Sequence, residues 1–560
     1  MKALPPLLAL ALFLLVPAVS TAADDPLGGA SRPAPQMTLK REGKQYKRVH
    51  QYALRLINHD RLDDADAFLT GWAKKFPQDA ETQYMLGVLA ARRGQGDQAA
   101  ACMSRAIDLG LPEGRIVAGP RALLEKVQDH AFFKGLVDKH EFIPVHGPLL
   151  GDVSSRSAAV WVRTAKESEV GVVYHETSSP KGGQAIAIAI ETTPFVNVSK
   201  ENDFTAVIRL DGLKPKTGYT YQVCFKKADG RIQRSVEHRF RTFSSPGTPT
   251  TFSLAFGGGA GFVPENERMW NTIGSFQPDA LLLLGDNVYI DDPESVIMQQ
   301  YTYQRRQSRP EWRRLTARTP TFTIWDDHDF STNDSWGGPK IERPFWKRDY
   351  AFKIFRDNWA NPGYGGGWEQ PGCWYSFAIG DVDFIMLDCR YYRTSPRVKT
   401  PSMLGPVQLK WLKQELKKAK GTFKVICSSV PWVLKAKGGS KDTWNGYQAE
   451  REDIFSFIEQ NQIEGIVLMS ADRHRSDAWR IQRPNGYDFT EFNSSRLTNQ
   501  HVHPEMHKQG ALISYNKKQS FGLVEFNTAT KQPVVKYTVI SIDGEKIADI
   551  SVNRSALVFD

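Results

Sequence analysis

Apolar positions along the chain change their spacing twice, and the three regimes predict three kinds of structure. From about residue 41 to 140 they recur with helical spacing, as in RLDDADAFLTGWAKKFPQDAETQYMLGVLAARRGQGDQAAACMSRAIDLG at 61–110. Within that stretch LDDADAF begins at residue 62 and GDQAAAC at residue 96. This 34-residue period is that of a tetratricopeptide-type helical hairpin, whose small residues let two helices pack closely. Only about one and a half copies are visible, whereas an array needs about three. A small helical cap packed on its neighbour is therefore expected as readily as a peptide-binding array.

From about residue 145 to 245 apolar and polar residues alternate instead, in AAVWVRT, EVGVVYHE, FTAVIRL, YTYQVCFK and HRFRTF, separated by turn residues. Short strands at this spacing predict an all-β sandwich, and LKPKTGYTYQV at 213–223 is similar to the tyrosine-corner strand of fibronectin type III modules. SSPGTP at 244–249 reads as a linker. From about 250 to 555 strand-like runs (FSLAFGG, ALLLLGD, TFTIWDD, VDFIMLD, FKVICSS, IEGIVLMS) alternate with helix-like ones (ESVIMQQYTYQRRQ, PVQLKWLKQELKKAK, REDIFSFIEQN), which predicts an α/β domain with a β-rich ending.

Length and charge add limits. With 560 residues the chain is expected to hold about three or four domains. Its net charge of +10 suits anionic partners, but the basic residues are spread along helix-like segments, so nucleic acid is not expected as a specific partner. Residues 1–23 combine Lys2, an apolar centre and a small-residue exit, which predicts a cleaved secretory signal, followed by a Pro/Gly/Ala-rich lead at 24–40. No later run reaches the ~20 apolar residues of a membrane span. A periplasmic or secreted protein is expected, and export permits a Cys373–Cys389 disulfide if WYSFAI and DFIMLD are neighbouring strands. No cysteine spacing supports a structural zinc site.

The chemistry concentrates where apolar runs end in carboxylates: LLLLGDNVYIDD at 281–292, TFTIWDDHDFSTND at 321–334 and IEGIVLMSADRHRS at 463–476. Such strands deliver their terminal residues to the edge of a parallel sheet, where open α/β folds bind ligands. Several ionised carboxylates gathered there repel one another unless a multivalent cation neutralises them. Asp286 is expected to bridge two cations, with a helix N-cap as its alternative. Tyr289 is a candidate phenolate ligand or a buried, hydrogen-bonded tyrosine. Asp327 and His328 are assigned to the site, Asp326 is kept as a supporting carboxylate, and Asn333 is a neutral oxygen ligand. Asp472 and His474 form a D-x-H pair, His474 being either a ligand or the acid that protonates a leaving oxygen. Arg390 and Arg473 can hold an anionic oxygen or form structural ion pairs. Tyr447 and Arg451 read as a pocket wall and its partner, and His501 and His503 as surface residues.

The motifs GDNVYID, WDDHD, LDCRYYR, MLGPVQLKWL, DTWNGYQAER and SADRH, in that order, resemble the PhoD-like phosphatases, the alkaline phosphatase D family of exported metallophosphoesterases. The resemblance runs from about residue 145 to 550. It implies a metallophosphoesterase-like βαβ sandwich as catalytic domain, preceded by an all-β fibronectin type III-like sandwich, and a site of iron(III) and calcium hydrolysing phosphomonoesters or phosphodiesters. In that family's terms Asp286 bridges, Tyr289 and His474 lie on the iron side, and Asn333 and Asp472 on the second-metal side. Asp327, His328 and Arg390 line the substrate side. One departure stands out. The family's first strand ends in a Ser-Cys pair whose cysteine binds iron, and here SLAFGGGAGF places Gly258 and Gly259 there. Glycine supplies no ligand, which leaves manganese, zinc or magnesium as alternatives to iron. It also leaves two other readings: a decayed site in a binding or scaffold protein that recognises a protein partner through its helices, or a hydrolase of a non-phosphate ester.

Overall fold

The computed structural model describes residues 46–177, 189–336 and 346–559. The expected signal and lead lie outside the described residues. Among those described, no helix is long and apolar enough to cross a membrane.

The helical periodicity at the start forms antiparallel helices Tyr46–Asn58, Leu62–Lys75, Ala80–Arg92 and Gly96–Asp108, the second and fourth opening at the two residues that set the 34-residue period. Their apolar faces join a core that continues into the rest of the chain. A buried polar knot fastens the contact: Tyr301 Oη donates to Glu81 Oε1 (2.7 Å), and Arg115 lies over the rings of Tyr84 and Tyr301 at 4.3 and 4.8 Å.

The alternating region forms a three-stranded antiparallel sheet (His146–Gly151, Ser157–Arg163, Thr205–Asp211) and a second sheet built on Ser168–Glu176 paired with Gly218–Lys226. The tyrosine corner is present: Tyr219 Oη accepts from Lys214 N at 2.9 Å. Trp161 Nε1 donates to Asp357 O (2.7 Å) and Tyr221 Oη to Ala317 O (2.6 Å), tying the sandwich to the α/β part.

The α/β part stacks two mixed sheets. One runs Thr321–Ile324, Ala280–Leu284, Thr251–Gly257, Ser520–Asn527, Val534–Ser541, Lys546–Asn553, its first three strands parallel. The other runs Tyr375–Ile379, Val382–Met386, Phe423–Cys427, Ile466–Ser470, Phe489–Asn493, Ser476–Ile481, Ile513–Tyr515, with four consecutive parallel strands from Val382 to Asn493. Aromatic rings fill the space between them: Phe322 stacks on Phe377 at 4.0 Å, and Phe252 on Phe526 at 5.1 Å against Phe384. Burying each such side chain stabilises by roughly 1.5–3 kcal/mol, and a parallel strand covered on both faces reads as an unbroken apolar run, as Ala280–Leu284 does. The two strands expected beside Cys373 and Cys389 do pair, yet all five cysteines are free thiols. Their register sets Tyr375 opposite Met386; continued outward it sets Cys373 opposite Asp388, whose Oδ2 accepts from Cys373 N at 3.1 Å. Cys389, one residue further, faces away and meets Ser428 Oγ at 3.4 Å.

Candidate metal centre

The carboxyl ends of parallel strands from both sheets open on one cleft floor. Gly285 (φ 98°) turns the chain so tightly that a Cβ there would lie 2.5 Å from Asp326 Cβ, and Asp286 itself is held in the left-handed region at φ 53°. One oxygen of Asp286 accepts from Tyr289 Oη at 2.7 Å and the other from His328 N at 3.4 Å, while Asn499 Nδ2 donates to Tyr289 Oη at 2.7 Å. Asp326 caps the short turn Asp327–Phe330. Asp286, Asp327 and His328, all buried, each bring one donor atom within 4.8 Å of the others, and Asp327, Asp334 and Asp442 form a second such group. Asp327 belongs to both.

The electrostatics of this floor call for positive charge. Burial pushes the Asp286 carboxyl well above its usual value, and the neighbouring Asp327, Asp326 and Asp329 push it further. Burial likewise raises the Tyr289 phenol, with Asp286 beside it adding to the effect. The protein's cations reach the neighbours of Asp286: Arg390 meets Asp326 and Arg48 meets Asp291, while Lys437 and Arg473 gather at the far side. Lys437 Nζ stands 2.8 Å from Asp442, 3.1 Å from Asp334 and 3.8 Å from Asp472, and Arg473 lies 2.9 Å from Asp472. Burial opposes ionisation of Asp472, but Lys437 and Arg473 outweigh it and hold the carboxyl below the usual range. Among the described residues no ion pair to Asp286 is formed, and Arg390 comes only to 3.9 Å of Asp327, so the Asp286–Asp327–His328 group fits a bound metal ion on the chemistry of its donors.

Several residues sit differently from expectation. Arg390, expected on the substrate side, is fully buried: it reaches Asp326 at 2.5 Å, Asp442 at 2.8 Å and Asp327 at 3.9 Å, and donates to Ser335 O at 3.0 Å. Its guanidinium fork is committed to protein oxygens, which makes it a positioning residue. Tyr447 and Arg451 are buried too and do not face each other through their side chains; Tyr447 Oη donates to Thr394 O and accepts from Arg393 Nε, and Arg451 Nε donates to Trp432 O. Asn333 is exposed on the loop above Asp334. His501 and His503, expected as surface residues, are exposed and half-buried respectively, and both rings lie beside His474, with ring centroids at 4.9 and 5.3 Å.

Asp291, Asp334, Lys437 and Asp442 lie at the same candidate site, and the sequence did not single them out. Asp291 Oδ1 lies 2.5 Å from His328 Nδ1 and its other oxygen 3.0 Å from Arg48. Arg48 belongs to the first helix, and the same helix sends Arg55 to Asp291 O at 2.7 Å and Gln51 to Tyr289 O. Thus the N-terminal helices grip the loop that carries Tyr289 and Asp291. The motif DTWNGYQAER begins with Asp442, and that leading acid was the signal available.

A family model described as PhoD-like phosphatase matches residues 254–546, more than half of the chain. The chain belongs to the PhoD-like phosphatase family. A second model, a domain of unknown function (DUF7800), matches residues 144–242. Alkaline phosphatase D of Bacillus subtilis (strain 168) is 22% identical over 392 residues, covering 59% of this chain and 64% of that protein, so the chain spans less than two thirds of that relative's length. A solved structure of PhoD aligns with 73% of this chain and 91% of its own at a TM-score of 0.59 and 17% identity. A purple acid phosphatase, PPD1 from yellow lupin seeds, aligns with 73% and 75% at 0.53 and 13%. These two likenesses show a shared fold.

The glycine loop bears on the cysteine ligand that the resemblance implies. A Cβ on Gly258 would meet Ala471 Cβ at 2.7 Å and Gly285 O at 2.8 Å; one on Gly259, whose φ is +67°, would meet Ser495 Oγ at 2.9 Å. Neither position has room for a thiol. The residues present fit a cation held by carboxylates and imidazoles and do not fit an iron held by a cysteine at this loop.

Proposed function

We propose that this PhoD-like protein is an exported, metal-dependent phosphoesterase that hydrolyses phosphomonoesters or phosphodiesters. The observation that carries the reading is the buried Asp286–Asp327–His328 group at the carboxyl ends of two parallel strands, with no ion pair to Asp286 among the described residues. Asp286, Tyr289, Asp472 and His474, with Asn333 beside Asp334, would hold the metal ions, and Asp327 and His328, whose donor atoms converge with Asp286, would share the ion held there or face the substrate beside it. When bound, such ions make water nucleophilic near neutral pH and neutralise phosphate oxygens during in-line displacement.

The chain's own side chains supply orientation and protons. Asp291 accepts the His328 Nδ1 proton, which leaves Nε2 as the ring atom that exchanges a proton with the cleft. From that atom a proton can pass to a departing alkoxide. Lys437 and Arg473 keep Asp472 ionised and lend positive potential to an arriving phosphate ester. Arg390 fixes Asp326 and Asp442 on either side of Asp327. Export rests on the signal-like residues 1–23. The inward use of the N-terminal helices, against the loop of Tyr289 and Asp291, favours an enzyme over a scaffold that offers those helices to a partner.

The test is hydrolysis of p-nitrophenyl phosphate and bis-p-nitrophenyl phosphate by purified mature protein, with metal content by elemental analysis, beside Asp286→Ala. Near-stoichiometric metal and activity lost in the variant are expected. No bound metal and no turnover with iron, calcium, manganese, zinc or magnesium would sink the reading.

A further inference from the structure

The two carboxylate groups that share Asp327 are compensated unequally. At the Asp286–Asp327–His328 group no ion pair to Asp286 is formed among the described residues, and Arg390 comes no nearer Asp327 than 3.9 Å. At the Asp327–Asp334–Asp442 group an ammonium is already in place. Lys437 Nζ lies 2.8 Å from Asp442 Oδ2, 3.1 Å from Asp334 Oδ1 and 3.8 Å from Asp472 Oδ2. It thus reaches two of the three converging carboxylates, and also Asp472, which the family resemblance puts on the second-metal side. Asp442 is further paired with Arg390 at 2.8 Å and Arg393 at 3.0 Å, and Asp472 with Arg473 at 2.9 Å. Hard divalent ions take oxygen ligands at about 2.0–2.6 Å. An ion drawing on these oxygens would stand against the ammonium, and like charges in contact repel strongly where water is partly excluded.

Lys437 is placed to stay near and yet to yield. Its side chain keeps 17% of its surface in solvent, whereas those of Arg390, Arg393 and Arg473 keep 4% or less. The chain around it reads AKGGS, and a Cβ on Gly438 (φ 57°) or Gly439 would meet nothing within 4 Å, so close packing does not pin the turn that carries the lysine. The arginines are fixed members of the cluster, and Lys437 is the cation beside Asp334 with a path out.

We infer that Lys437 is a tethered counter-ion at the second metal position: it holds the oxygens of Asp334, Asp442 and Asp472 while one ion sits at Asp286, and a second ion enters only by displacing it. The inference rests on the phosphoesterase reading of the centre and deepens it. One ion is then held tightly, and occupancy of the second position follows the free concentration of a hard divalent cation.

The experiment is manganese(II) binding to the chelator-stripped full chain, by equilibrium dialysis with elemental analysis and by electron paramagnetic resonance of the bound ions. It compares wild type with Lys437→Met, Lys437→Gln and Asp286→Ala, with Lys435→Met as an exposed control in the same loop. Thermal melting in chelator checks that each variant folds. Expected are one tightly bound ion in wild type, a second ion bound at least about tenfold more weakly than in either Lys437 variant, and a spin-coupled pair of ions appearing at lower manganese in those variants. Lys435→Met should match wild type. The unmutated chain gives an independent readout: acetylation of Lys437, followed by peptide mass spectrometry, should rise between one equivalent of manganese and saturation. Equal second-ion affinity in wild type and both Lys437 variants, or unchanged acetylation, would overturn the inference; binding still lost in Asp286→Ala would leave the phosphoesterase reading standing. No manganese binding by any of these chains would overturn both.

Discussion

Arg390→Met separates a positioning role from a substrate-binding one. In the wild type the guanidinium has no exposed surface and joins Asp326, Asp442 and Ser335 O, with Asp327 at 3.9 Å. Methionine preserves much of the volume and removes the charge. Asp442 keeps Arg393 at 3.0 Å and Lys437 at 2.8 Å, but Asp326 is left, among the described residues, with the Ser429 hydroxyl at 2.7 Å and its capping contact to the Asp327–Phe330 turn, and no cation. Breaking a buried pair by removing one partner costs about 3–5 kcal/mol. At ~2.1 cal/mol/K per residue over about 300 residues, the unfolding entropy is ~0.6 kcal/mol/K, so the melting midpoint should fall by about 5–8 °C. Calorimetric melting of the metal-loaded protein measures that shift, and initial rates on p-nitrophenyl phosphate below its melting range give KM and kcat. A fall in stability and kcat with KM within about twofold is expected. A midpoint within about 1 °C of wild type together with a tenfold higher KM would refute the reasoning, because the guanidinium would then be reaching substrate.

Gln51→Ala with Arg55→Ala removes two holds of the first helix on the Tyr289–Asp292 loop and leaves Arg48 on Asp291; the Arg55 bonds contribute about 1.5–3 kcal/mol and the neutral Gln51 bond about 0.5–1.5, and faster amide exchange in the peptide spanning 286–295 together with lower kcat is expected. Gly259→Cys should destabilise by about 1–3 kcal/mol, since it adds a side chain at φ +67° against Ser495 Oγ, and melting should show partial recovery when Ser495→Gly is added. The chelated protein should lose stability as pH rises from about 4 to about 7. Burial pushes the folded Asp326 carboxyl up to about 7, against ~3.9 when unfolded, so the folded form prefers it protonated and each rise in pH through that window favours unfolding, by at most about 4 kcal/mol for this group. Added cation should therefore raise the midpoint more at pH 8 than at pH 5, and an equal rise at both would count against the carboxylate cluster. Asp442 has the opposite sign: burial opposes its charge, but Arg390, Lys437 and Arg393 hold it well below the usual range, so its contribution is present above pH ~4 and is lost on acidification.

The sheet edges were legible because a buried parallel strand has to be apolar until it ends; Ala280–Leu284, Thr321–Ile324 and Ile466–Ser470 announced where Asp286, Asp327 and Asp472 would emerge. The tyrosine corner was legible from five residues, since Tyr219 bonds Lys214 within one local turn. What escaped was pairing across the chain. Arg390 finds Asp326 sixty-four residues away and Asp442 fifty-two residues away, so nothing local to LDCRYYR shows that its fork is already filled. Asp291 seemed surplus until a helix more than two hundred residues earlier brought Arg48 and Arg55 to it. His501 and His503 were legible as surface residues, His501 being exposed and His503 half-buried, but the mostly polar NQHVHPEMH did not show that the loop folds back beside His474. Cys373 and Cys389 flank paired strands, yet an offset of one residue turns their side chains to opposite faces.

The backbone of the centre explains why so much of the chain leans on it. Asp286, Asp472 and His474 all sit in the left-handed region, at φ 53°, 65° and 47°, and non-glycine residues stay there only where surroundings over-determine them. Each has a separate restraint. Asp286 is held through Tyr289 and His328, whose loop and Nδ1 partner are gripped by the first helix; Asp472 is held by Lys437 and Arg473; and His474 is packed against His501 and His503. Tyr289 and His328 lie within the residues that the phosphatase model matches, 254–546, whereas the helix that grips their loop lies outside them. It follows that the N-terminal helices are an energetic part of the centre in this chain: trimming them would free the Tyr289–Asp292 loop, let Asp286 relax toward ordinary backbone angles, and weaken metal binding without touching a single ligand.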